Sequence, residues 1–79
     1  MTQLLNGSAQ LGHVIKARRK ALGLTQQALA ARLAITQNRM SQIESDPGSL
    51  PFGRLVDLLN LLGLDLMVQD RKPGKKGDW

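Results

Sequence analysis

Gln37, Asn38, Ser41 and Gln42 fall within six consecutive positions, one pair followed by another a helical turn later. At that spacing amides and a hydroxyl share one side of a helix. Such side chains cannot build a core, but each offers hydrogen-bond donors and acceptors. The chemistry open to them is recognition of a surface that displays donors and acceptors of its own. The plain alternative is solvated surface. In the surrounding stretch TQNRMSQIES, residues 36–45, only Met40 and Ile43 are apolar, so they must face inward. Catalysis has little to work with. Glu44, Asp46 and Asp57 have no nucleophile or metal companions, His13 is the single histidine, and the chain has no cysteine. These features give no metal site, no disulfide and no cofactor, and an enzyme is the least favoured class.

A polar face is useful only if something holds it still. Thr36 supplies the helix cap for residues 37–44, and Thr25 caps a preceding helix, QQALAARL, with Ala28, Leu29 and Leu33 inward. Only Ala34 and Ile35 separate the two before the Thr36 cap. A connection so tight forces a steep crossing, as in a helix-turn-helix. Ala30 permits the close approach, and Leu29, Ile35, Met40 and Ile43 fill the space between. The outward face then suits the DNA major groove, where every base pair shows a distinct hydrogen-bonding pattern.

Around this pair the sequence predicts two more helices. The first begins at a Ser8 cap, buries Leu11, Val14 or Ile15, and Leu22, and stops at Gly23. SDPGS is turn chemistry. The fourth runs roughly from Pro51 to Leu62, with Phe52, Leu55, Leu58, Leu59 and Leu62 as its apolar stripe and Gly63 as its stop. After it the period changes. Leu64, Leu66 and Val68 alternate with Asp65, Met67 and Gln69, the pattern of a strand over about 64–69. A lone strand has no partner within the chain, so it is expected to pair with a second copy. The domain plan is a flexible N-terminus (1–7), one helical domain (8–70) and a disordered basic tail (71–79).

With 79 residues the chain makes one domain, and a core of this size is marginal, which favours a homodimer. The formal net charge of +5 and pI near 10.5 favour a polyanionic partner, either nucleic acid or an anionic membrane surface. Residues 1–35 carry Lys16, Arg18, Arg19, Lys20 and Arg32 without an acid. The middle is acidic, and the tail adds Arg71, Lys72, Lys75 and Lys76. No apolar run is long enough to cross a bilayer, and MTQLLNGSAQ lacks the features of a signal peptide. A cytoplasmic, nucleoid-associated protein is expected.

LTQQALAARLAITQNRMSQIES resembles the helix-turn-helix of the Xre/Cro/lambda-repressor family, with its Thr-Gln-x-x-Leu-Ala start and Ile-x-x-Glu type end. The likeness runs from about residue 11 to residue 62. It implies an all-α, four-helix domain, with the expected strand pairing across a homodimer on a palindromic operator. By it, Gln26 binds a phosphate and braces Gln37, while Arg19 and Glu44 form a buried pair. Gln37, Asn38, Ser41 and Gln42 are the base-reading candidates; Thr36 and Arg39 join Gln26 as phosphate candidates. The turn usually carries Gly where this chain has Ala34. If that position needs φ > 0, Ala costs about 1 kcal/mol or more. The end of the chain, LGLDLMVQD and a tail closing in Trp79, is similar to the HipB antitoxins, which repress their own promoters. That likeness implies a HipA-type serine/threonine kinase toxin as partner, with Trp79 as an anchor; the alternative is a repressor of the same family without a toxin.

Overall fold

The computed structural model describes residues 3–70. Trp79, the four tail cations and the expected disorder of 71–79 lie outside the described residues. Four helices follow one another: α1 (Ser8–Ala21), α2 (Gln26–Arg32), α3 (Gln37–Ser45) and α4 (Phe52–Leu61). A single 3-10 turn, Pro47–Ser49, links the last two. Each helix sends side chains into one core: Ile15 from α1, Leu29 and Ala30 from α2, Met40 and Ile43 from α3, Leu58 and Leu59 from α4. Leu33 and Leu62, the C-caps of α2 and α4, complete it.

The helix starts are local chemistry. Thr25 Oγ1 accepts from the Ala28 N–H and Thr36 Oγ1 from the Arg39 N–H, satisfying donors that a first turn leaves unpaired. α1 starts differently from the expectation. Ser8 is its first helical residue and Gly7 the cap, with no side-chain cap bond. Instead Gln10 reaches back, accepting from the Asn6 N–H and donating to the Leu4 carbonyl.

Three helices end in one way. After α1, Gly23 N–H donates to Lys20 O and Leu24 N–H to Arg19 O; after α4, Gly63 and Leu64 repeat this toward Asn60 and Leu59. After α2, Ala34 N–H donates to Ala31 O and Ile35 N–H to Ala30 O. This is the Schellman arrangement, which requires a left-handed residue just past the cap and an apolar residue after it. Gly23, Ala34 and Gly63 have φ of 71°, 58° and 72°. Leu24, Ile35 and Leu64 then turn back onto the core. Ala34 therefore holds, at the centre of the tight turn, a conformation that costs an L-residue about 1 kcal/mol or more.

Three expectations about apolar residues are corrected. Leu22 is the C-cap of α1 and is exposed, because Arg19, one turn beyond Ile15, takes the inward position. Phe52 is 67% exposed, since the first turn of α4 extends past the core that Leu58, Leu59 and Leu62 fill. Residues 64–70 form no strand, and no strand occurs among the described residues. A strand is defined by its ladder, and a single chain offers this segment nothing to pair with. Leu64 packs on its own core, whereas Leu66 is exposed and Val68 is 98% exposed.

Candidate nucleic-acid interface

On α3, burial of Met40 and Ile43 turns Gln37, Asn38, Ser41 and Gln42 to the exposed side, as their spacing requires. The side chains of Gln37, Asn38 and Ser41 make no hydrogen bond among the described residues. Ser45 belongs to the same face, one turn beyond Ser41, and its hydroxyl donates to the Ser41 carbonyl at 3.2 Å. Its spacing from Ser41 was the available signal, and it extends the polar face to the end of the helix.

The orientation of α3 is fixed from behind. Arg19 Nε donates to Glu44 Oε2 at 2.6 Å and Nη2 to Oε1 at 3.3 Å; Nη1 donates to the Leu24 carbonyl at 2.9 Å. Both side chains are more than nine-tenths buried. Gln26 Nε2 donates to Glu44 Oε1 at 3.1 Å. One carboxylate thus joins α1, the start of α2 and the end of α3. A buried ion pair holds only when its remaining polar atoms are also satisfied, and no side-chain N or O atom buried among the described residues lacks a partner. The brace expected between Gln26 and Gln37 is replaced by this bond to Glu44. α1 can approach α3 this closely because of Gly12, where an added Cβ would stand 2.3 Å from the Glu44 carbonyl oxygen.

Several cations that composition alone would spread over the surface are engaged. Arg18 Nε donates to the Leu62 carbonyl at the end of α4, and Arg54 Nη2 to the Leu33 carbonyl at the end of α2. Both close helix ends whose carbonyls are otherwise unpaired. Arg39, expected on a phosphate, donates from Nη1 to Gln42 Oε1 at 2.7 Å and to Ser49 Oγ at 3.1 Å. Its Nη2 donates to the Ser49 carbonyl at 3.0 Å. Lys16, Lys20 and Arg32 are exposed cations with no hydrogen bond or ion pair among the described residues. Thr36 spends its hydroxyl oxygen on the cap but stays exposed at the start of α3.

The arrangement can present hydrogen-bonding side chains on a short helix anchored by a buried ion pair, with exposed cations Lys16 and Lys20 on α1 and Arg32 on α2. Among the described residues no group of His, Cys, Asp and Glu is placed to hold a metal ion, and no helix is long and apolar enough to cross a membrane. A family model described as helix-turn-helix matches residues 15–68, most of the chain and all of α2, the turn and α3. No curated protein matches the chain.

Proposed function

Because the chain belongs to the helix-turn-helix family of Xre/lambda-repressor type, its function is DNA binding in transcriptional regulation, and we infer that α3 reads sequence in the major groove. The observation that carries this reading is the combination on one short helix of an exposed amide face and a buried anchor, Glu44, tied to α1 and α2. A reading head must keep its geometry against thermal motion and present donors and acceptors, and the side chains of Gln37, Asn38 and Ser41 leave theirs unspent. Gln37, Asn38, Ser41 and Gln42 are the base-contact set. Thr36 and Gln26, at the starts of α3 and α2, are the phosphate candidates, with Lys16, Lys20 and Arg32 supplying sequence-independent attraction.

The protein acts as a homodimer on a palindromic site. Supporting this, Leu11, Val14, Leu59, Leu64, Leu66 and Met67 line a groove of about 130 Å³, and Met67 and the next residue, Val68, are exposed. A second copy of residues 64–69 offers the ladder that one chain lacks.

The finer proposal is that this regulator is an antitoxin that represses its own promoter and holds a HipA-type kinase inactive. Its support is sequence alone: the alternating LDLMVQD segment and Trp79, a residue type enriched at binding hot spots. Copurification from the native host with duplex DNA of the upstream region tests both levels. A kinase that elutes with the full chain establishes the antitoxin; upstream DNA without a kinase leaves a repressor. Neither DNA nor protein partner would remove the whole proposal.

A further inference from the structure

We propose that Arg39 sets the base preference of Gln42 by locking its amide in one orientation. The inference rests on the reading of α3 as the base-contacting helix. A glutamine on a free helix face is versatile: rotated one way it presents an oxygen, rotated the other way an NH2. Its bidentate pairing with adenine uses both, an N–H to N7 and the oxygen to N6–H2. Arg39 removes that choice. A guanidinium only donates, so the Gln42 atom 2.7 Å from Nη1 must be the oxygen, and the NH2 is the end left over.

The clamp is itself held. Arg39 Nη1 and Nη2 both bond Ser49, and the Ser49 hydroxyl donates to the Asp46 carbonyl at 2.8 Å. Gln42 thus stands at the end of a short hydrogen-bonded chain that begins in the backbone after α3. The bond from a charged donor also polarises the amide, strengthening the N–H groups that face outward. What Gln42 offers a base pair is two donors. Guanine, with N7 and O6 both accepting, fits that offer; adenine supplies only N7 to it and cytosine opposes it with an N4–H2 donor. Arg39 is a positioning residue, acting on DNA through Gln42.

The test is selection of binding sites from a random duplex pool by the full chain, with Arg39→Met, Ser49→Ala and Gln42→Ala beside it. Circular dichroism melts establish that each variant is folded. The native chain is expected to enrich guanine at one base pair of each half-site, and Gln42→Ala to lose the preference at that pair alone. Guanine over adenine there should be roughly tenfold or more, in the range of one good base contact. Arg39→Met should let adenine in at the same pair to near parity and leave the other positions unchanged. Ser49→Ala, which removes the hydroxyl bonded to Arg39 Nη1 and leaves every side chain of α3 in place, should move the preference in the same direction. The proposal falls if Arg39→Met and Ser49→Ala weaken all sequences equally, or if adenine already dominates at the Gln42 pair of the native chain. Enrichment of no sequence at all by the native chain would defeat the reading of α3 itself.

Discussion

Arg19 and Glu44 decide more of this molecule than their number suggests. Two charges are removed from water, and each has partners for its polar atoms: Gln26 and the Leu24 carbonyl complete the set. Replacing one partner is therefore expected to be far worse than replacing both. Arg19→Met leaves the Glu44 carboxylate buried with only Gln26 beside it, and urea unfolding should show a loss of about 3–5 kcal/mol. Arg19→Met with Glu44→Leu should recover a large part of that loss. A single-variant loss below about 1 kcal/mol would mean that the pair is solvated in solution. The pairing was legible from the family resemblance, but the destination of Gln26 was not. An amide both donates and accepts, so sequence cannot say whether it meets Gln37, a phosphate or Glu44. Arg39 was illegible for a related reason. Its partner Ser49 lies beyond the end of α3, in a turn whose path no periodicity describes.

Among the elements, the helix ends carry the clearest signals and the clearest compromise. Thr25, Thr36, Gly23 and Gly63 announced their caps and stops because each acts on its own neighbouring backbone. Ala34 occupies at the end of α2 the left-handed position that glycine fills after α1 and α4. Ala34→Gly is expected to stabilise the domain by about 1 kcal/mol. For a domain of this size that raises the melting temperature by about 4–8 °C, read in a thermal melt. An unchanged or lower melting temperature would mean that the turn relaxes in solution. Gly12 has the opposite meaning. Gly12→Ala drives a Cβ into the Glu44 carbonyl, and since that atom is backbone, α1 and α3 must separate. A loss of about 1–3 kcal/mol in urea unfolding is expected, the usual cost of overpacking. Nothing in the sequence marked Gly12, because close approach between helices leaves no periodic trace. The strand expected over 64–69 does not form in the single chain for a different reason: alternation describes side-chain direction, whereas a strand needs a ladder, which here only a second copy could supply.

At the scale of the whole molecule, the apolar groove by the end of α4 and the exposed Leu66, Met67 and Val68 are where a second copy is expected. Leu66→Asp with Val68→Asp should convert a dimer to a monomer in sedimentation equilibrium, while the helical signal in circular dichroism stays. A native chain that sediments as a monomer at every concentration would contradict that arrangement. The unspent Lys16, Lys20 and Arg32 predict binding that weakens steeply with salt, since each phosphate neutralised releases counterions. The excess of cations is visible in composition. Which cations remain free is not, because Arg18, Arg19, Arg39 and Arg54 are taken up by carbonyls and a carboxylate that only the fold brings near. For base reading by the outward face of α3, the decisive comparison is the affinity of the native chain and of Gln37→Ala for a selected duplex and for a random one. Gln37→Ala is expected to lose about 1–3 kcal/mol per half-site on the selected duplex and almost nothing on the random one. Equal losses on both would show that Gln37 contacts the phosphate backbone, and that α3 positions the protein without reading the sequence.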